Sequence, residues 1–408
     1  MNERRRALEL LRRIERESAY ASLLLANDSG FIRTLVLGVL RWRSRLDFVI
    51  DVFAKGAIEP EIRDILRLGA VQLLFMHVAP HAAVGETVAL APLRARGFVN
   101  AILRKISKGA PEPPDVATRT AHPQWLIDRW TNFYGAERAA KIAEANQELS
   151  FPDAMTDSPP PDATPSELVP GMWKLTGSSA EAGGFVLDEG SAVIADIAAA
   201  AGDDVLDLAA APGGKSLVMR ARGARVVSND VSIARLRPLM GRSASIIVSD
   251  GRRAPFARKF RVVLLDAPCS ATGTIRKNPE LKWRLREDDL LSFAALQKQL
   301  LASALDLASE TVVYSTCSLE PEENAAVVDD VLRTRNDFVR GDVAKFVNAN
   351  VAQWVENGVL RLTPEAGTDG FTAHVLGARA SRPLSATILP ETAGETPALP
   401  GSLRSPSR

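Results

Sequence analysis

The 408-residue chain contains two cysteines, and each closes a strand-like run. Cys269 stands in LLDAPCSATGTIRKNPELKW (residues 264–283), shortly after Asp266. Cys317 stands in YSTCSLEPEEN, after the run Thr311 to Thr316. A thiol becomes a nucleophile where its surroundings favour the thiolate, and a neighbouring carboxylate can move a proton or hold a donor. Val262 to Leu265 has the unbroken apolar character of a buried parallel strand, and Pro268 ends its ladder. Basic residues follow at Arg276, Lys277, Lys282 and Arg284, with Trp283 among them as a stacking surface or a core residue. A carboxylate, a thiol and a cationic strip at the carboxyl end of a strand describe a ligand crevice in an open α/β sheet. A free cysteine can also be a small buried hydrophobe. That both cysteines of the chain fall in these two stretches argues against it.

A second stretch, DLAAAPGGKS (207–216), follows the strand-like Val205 to Leu208. Ala209, Ala210, Ala211, Pro212, Gly213 and Gly214 leave room for backbone to approach a ligand before Lys215. The stretch is a near miss for a Walker A loop, because Ala209 occupies the place of its first glycine. Acidic residues decide between ligands. Asp230 ends the next strand, where an acid can hold ribose hydroxyls, and Asp250 ends the one after, placed to meet an adenine. Any one of them could merely cap a helix; acids at consecutive strand ends fit a nucleoside better.

DAPCSATG followed by STCSLEPEEN resembles the paired cysteine motifs of the RNA 5-methylcytosine methyltransferases, the NOL1/NOP2/Sun family. DLAAAPGGKS resembles their S-adenosylmethionine loop, and the order and spacing of all three match. LGAVQLLFMHVAPHAAVGETV and RGFVNAILRKI (68–88 and 96–106) are similar to the NusB-like RNA-binding domain of the branch acting on small-subunit (16S) ribosomal RNA. The resemblance implies that residues 209–215, Asp230, Asp250 and Asp266 meet S-adenosylmethionine and the active site. It further implies that Cys317 is the nucleophile, that Cys269 assists product release and that Asp266 contacts N3 of the base. Arg276, Lys277 and Lys282 are then expected on RNA phosphate. Thr372 stands where the family carries an aromatic residue.

That chemistry has a physical logic. C5 of cytosine is too weak a nucleophile to take a methyl group from a sulfonium unaided. A thiolate adding at C6 turns the ring into an enamine whose C5 can attack. The alternatives are the same reaction on transfer RNA or large-subunit ribosomal RNA, or a non-catalytic RNA-binding or assembly factor. Intact Cys269, Cys317 and Asp266 argue against the last.

The elements that must position these groups follow from periodicity. Residues 4–107 keep helical spacing, with Phe31 to Trp42 and Leu46 to Phe53 as separate helices. Residues 1–110 form an all-α domain carrying 18 Lys and Arg against 11 Asp and Glu, an RNA-binding surface or solvated helix faces. Residues 111–185 form a helical linker and a reduced, proline-crowded α/β pre-domain. Residues 186–380 alternate strand and helix. They specify a Rossmann-like class I methyltransferase domain with a doubly wound, mostly parallel, seven-stranded sheet. Residues 381–408 read as a disordered tail. Two cysteines in a chain this long fit a reducing compartment. With no signal peptide or membrane-length apolar run, a cytoplasmic monomer is expected, with RNA as partner and neither membrane nor metal involved.

Overall fold

The computed structural model describes residues 2–17, 19–176, 184–242 and 245–379; the expected disordered tail lies outside them. The chain divides into two compact units, residues 1–148 with 275–285, and residues 149–274 with 286 onward.

The first unit is helical: α1 (Glu3–Arg16), α2 (Gly30–Phe53), α3 (Pro60–Leu74), α4 (Pro80–Val88), α5 (Leu93–Ile106), α6 (Gln124–Tyr134) and α7 (Ala136–Ala145). Asn2 starts α1 by accepting from the amides of Arg4 and Arg5, which satisfies two otherwise orphaned donors. The two helices expected between Phe31 and Phe53 are one. Leu40, Leu46, Val49 and Ile50 keep a single buried stripe in phase, and the intervening Arg43, Ser44 and Arg45 are only half-buried. Helices α6 and α7, which the sequence assigns to a linker, belong to this unit.

The second unit begins with a small antiparallel sheet, β1 (Asp153–Met155), β2 (Thr164–Pro165), β3 (Met172–Lys174) and β4 (Phe185–Val186), in the order β2-β3-β1-β4. This segment lies where a reduced α/β pre-domain is expected; among its described residues it is β and turn, with no helix. Then come α8 (Glu189–Ala201), β5 (Asp204–Asp207), α9 (Gly214–Ala221), β6 (Arg225–Asp230), β7 (Ile246–Val248), β8 (Phe260–Asp266) and α10 (Asp289–Leu307). The chain continues through β9 (Ala308–Thr316), α11 (Ala325–Leu332), β10 (Phe338–Arg340), β11 (Val355–Glu356), β12 (Val359–Leu362) and β13 (Phe371–Ala378).

The main sheet runs β11-β12-β13-β9-β8-β5-β6-β7, with β10 also on β13. The stretch from β9 to β7 is parallel and the rest antiparallel. It has nine strands among the described residues, where seven are expected. The long β13 explains the difference: its outer edge is shared, Phe371–Ala373 with β12 and Leu376–Ala378 with β10, while β11 adds a short hairpin.

Strand alternation builds both faces. Val205, Val262, Leu264 and Val313 share a core with α8 and α9. Leu206, Val263, Leu265 and Val312 share one with α10 and α11. Each aliphatic side chain so buried contributes about 1.5–3 kcal/mol. The chain winds outward from β5 to β6 and β7, then returns to β8 on the other side of β5. That reversal opens a crevice at the carboxyl ends of β5 and β8.

Candidate active site

Four of the sequence-derived residues converge at those strand ends. Lys215, in the first turn of α9, places Nζ 2.7 Å from Asp266 Oδ2 at the end of β8. The ammonium also donates to Ser191 Oγ at 2.6 Å and lies 5.0 Å from the centroid of the Phe371 ring. Asp266 Oδ1 accepts from Ser315 Oγ at 2.8 Å, so both carboxylate oxygens are fixed. Burial works against the Lys215 cation, but Asp266, and after it Cys317 and Asp207, outweigh burial and hold its pKa above the usual lysine value. Lys215 is therefore a fixed positive charge beside a fixed negative one.

The two thiols meet: Cys269 Sγ and Cys317 Sγ are 3.3 Å apart, both free and partly buried. Hydrogen bonding to Cys317, then burial, push the Cys269 thiol well above its ordinary pKa, and the charges of Glu323 and Asp266 add to the shift. Either sulfur can be the donor in this contact.

The loops carrying the thiols are stitched together. Gly273 N donates to Cys317 O at 2.9 Å, and Leu319 N donates to Thr272 Oγ1 at 2.9 Å. A Cβ at Gly273 would fall 2.3 Å from Gly370 O and 2.9 Å from Cys317 O, so only glycine permits this approach. Thr372 gains a role here, because its hydroxyl donates to Ser318 O at 3.2 Å. The sequence motifs did not single out Glu323, Gln297, Ser191 or Ser315. Glu323 lies within the PEE of the second cysteine stretch, but nothing in that triplet tells which carboxylate turns inward.

The loop 209–214 joins β5 to α9. Gly213 has φ 109°, and a Cβ there would sit 2.8 Å from Leu239, so glycine is required. Ala211 N donates to Asp230 Oδ2 at 3.1 Å, and Asp230 Oδ1 accepts from Ser232 N at 2.9 Å. Each oxygen keeps a further lone pair for a ligand hydroxyl. Asp207 Oδ2 accepts from Ser216 Oγ at 2.6 Å, while its buried Oδ1 has no partner; burial raises its pKa to about 7. Asp250 caps the turn Gly251–Arg253 and is gripped by the Arg252 guanidinium, whose hydrogen bonds hold its pKa down to about 2. A backbone cradle, an unpartnered buried acceptor and two further acids fit a nucleoside bearing an amino-acid tail.

The basic segment departs from expectation. Residues 275–285 belong to the helical unit. Lys282 is 1% exposed, and its Nζ donates to Arg41 O at 2.8 Å. Trp283 Nε1 donates to Leu40 O at 2.6 Å, so it is a packing residue. Arg276 is buried, and its carbonyl accepts from Arg41 Nη2 at 2.7 Å. The Lys282 ammonium is thus bonded within the helical unit, and the Arg276 side chain is buried there. Lys277 is half-buried, with a polar contact of its own.

A doubly wound sheet with a small-residue loop and acids at successive strand ends defines a Rossmann-like methyltransferase. Residues 195–376 match the profile described as "16S rRNA methyltransferase RsmB/F", and residues 1–108 match the NusB family. The chain is 30% identical to the "Probable ribosomal RNA small subunit methyltransferase B" of Bacillus subtilis, over 90% of this chain and 96% of that one. The chain belongs to the RsmB/F family of ribosomal RNA methyltransferases. Among solved structures, PH0851 superposes with a TM-score of 0.71 at 23% identity, covering 92% of this chain and 98% of that one. NSun6 from Pyrococcus horikoshii with SFG gives 0.51 at 18% identity, covering 62% and 98%. Both share the fold.

Proposed function

We propose that this protein methylates C5 of a cytosine in small-subunit ribosomal RNA through a covalent adduct on Cys317. The observation that carries the reading is the 3.3 Å pair of free thiols in the unit that also holds the Lys215–Asp266 pair. Residues 209–215, Asp207, Asp230 and Asp250 hold S-adenosylmethionine, with Asp230 on the ribose and Asp250 on the adenine. When bound, this cofactor supplies an electrophilic methyl group.

The Cys317 thiolate adds to C6, and the ring's electrons move toward C5. As the thiolate adds, N3 takes up a proton from solvent, and the N3–H donates to the Asp266 carboxylate, whose oxygens are held by Lys215 and Ser315. After C5 is methylated, a base takes the C5 proton, the C6–sulfur bond breaks and its electrons return to sulfur. Cys269, in contact with the leaving sulfur, serves this release step. Lys277 remains a candidate phosphate contact, and the helical unit supplies RNA affinity. Work on ribosomal RNA fits a cytoplasmic monomer. Among the described residues no helix is long and apolar enough to cross a membrane.

Bisulfite mapping of RNA from cells with and without the protein tests the reading. A single cytosine of small-subunit ribosomal RNA is expected to lose protection when the protein is absent. Loss confined to transfer RNA or the large subunit would move the substrate, and unchanged protection everywhere would remove the activity.

A further inference from the structure

One buried carboxylate joins the two cysteine loops. Glu323 is 0% exposed, in the turn between β9 and α11. Its Oε1 accepts from Ser270 N at 2.9 Å and from Gln297 Nε2 at 3.0 Å. Its Oε2 accepts from Ser270 Oγ and from Ser318 Oγ. Ser270 directly follows Cys269, and Ser318 directly follows Cys317. Their hydroxyls also meet each other at 3.1 Å. Gln297 extends the grip by donating to Pro268 O, just before Cys269, at 2.8 Å.

We propose that Glu323 is a positioning residue of the methyl transfer, which sets the two sulfurs at their observed spacing and gives them unequal roles. This rests on the reading of the thiols given above.

Geometry supplies the first reason. The loops come from different strand ends, β8 and β9, and nothing covalent sets their spacing. A single carboxylate accepting from both loops adds to the Gly273–Cys317 and Leu319–Thr272 bonds that join them. Charge-assisted hydrogen bonds in a low-dielectric interior are the strong ones, and a displacement of about 1 Å at a reacting centre can cost about 100-fold in rate. Electrostatics supplies the second. The carboxylate accepts from the residues that follow both cysteines, and its charge adds to the Cys317 hydrogen bond and burial in disfavouring an anion at Cys269. On this proposal that charge biases the S–H···S contact toward Cys269 as donor. Glutamine at this position would have the right shape but present an N–H toward donors and carry no charge.

The test uses the full chain. Iodoacetamide labelling at pH 7, read by peptide mass spectrometry, is expected to favour Cys317 over Cys269 about tenfold. In Glu323→Gln the preference should shrink to about twofold or less. The kcat for methylation should fall about 10- to 100-fold, with KM for RNA and the Kd for S-adenosylhomocysteine unchanged. Glu323→Asp, which keeps the charge but not the reach, should recover part of the labelling preference. A Glu323→Gln protein with wild-type labelling preference and kcat within twofold would overturn the proposal. Equal losses of kcat, cofactor affinity and melting temperature would do the same, since they describe a structural role. Should Glu323→Gln not fold, Ser318→Ala decides, because it keeps the carboxylate and removes one bond of the bridge. It must lower kcat at least threefold and narrow the labelling preference, or the proposal fails. Labelling needs no RNA. A wild-type protein that methylates no cytosine yet shows Glu323-dependent labelling would sink the proposed reaction and leave the effect of Glu323 on the thiols standing.

Discussion

Two inward-facing lysines, the partly buried Lys215 and the fully buried Lys282, one in each compact unit, carry opposite lessons. Lys215 in the methyltransferase unit faces a carboxylate, and its pKa is raised despite burial. Lys282 in the helical unit donates to a backbone carbonyl beside another cation. Burial, with Arg41 adding to it, depresses its pKa well below the lysine value. In sequence the two look alike, each a lysine in a motif-bearing stretch. What separates them is the partner. A buried cation with a carboxylate is a fixed charge available to chemistry, whereas one with only a carbonyl is a hydrogen-bond donor that gives up its charge easily.

Substitutions on the two sides should therefore differ in kind as well as size. Cys317→Ala should have the largest effect, since it removes the proposed nucleophile. Methylation should become undetectable by bisulfite sequencing, while cofactor binding by calorimetry stays intact. Lys215→Met comes next. It leaves Asp266 with only Ser315 and strips the charge beside the thiols, so kcat should fall roughly 100- to 1,000-fold, as for loss of a preorganised electrostatic group. The pair is partly buried, so a modest drop in melting temperature should accompany the loss. Activity within tenfold of wild type would deny Lys215 its role. Asp230→Ala should weaken cofactor binding by about 1.5–3 kcal/mol, about one to two decades in Kd, without changing RNA affinity. Equal cofactor affinity would remove Asp230 from the site.

Lys282→Met probes the helical side and has the smallest expected effect. Activity should stay within about twofold. Because the folded-state pKa of Lys282 is depressed, the unfolded chain binds the extra proton in the interval between the two pKa values. Wild-type stability should therefore rise with pH as the medium approaches the unfolded value of 10.5 from below. Lys282→Met should lack that part of the slope in urea unfolding. An identical slope in both proteins would mean that Lys282 is not the depressed group.

Much of the fold and site is legible in the chain, and the failures share a cause. The strands are readable because Val205, Val262, Leu264 and their neighbours form unbroken apolar runs that end in acids. The thiol stretches are readable because only two cysteines exist. Long-range partnership is not. Nothing local tells that residues 275–285 pack with α2, placing Lys282 and Trp283 against the carbonyls of Arg41 and Leu40. The unbroken helix across Arg43–Arg45 depends on the phase of a buried stripe, which polar residues disguise. Glu323 is hidden for the same reason as Lys282, since its function lies in which donors surround it. Deleting residues 1–110 to test RNA affinity would also strip the packing from 275–285. Charge reversal at exposed Lys105 and Lys108, on and just after α5, is the cleaner probe. For each phosphate interaction removed, the salt slope should fall by roughly 0.7–0.9.

On this account two neighbouring thiols act at different moments on one carbon–sulfur bond. Cys269→Ala keeps the attack at C6 and loses assistance at release, so protein should accumulate covalently bound to RNA. Incubated with a cytosine-containing ribosomal RNA fragment and S-adenosylmethionine, then run on a denaturing gel, Cys269→Ala should give a shifted, nuclease-sensitive band. Cys317→Ala should give none. A band only in Cys317→Ala would reverse the two roles, and methylation intact in both variants without any band would contradict the covalent mechanism itself.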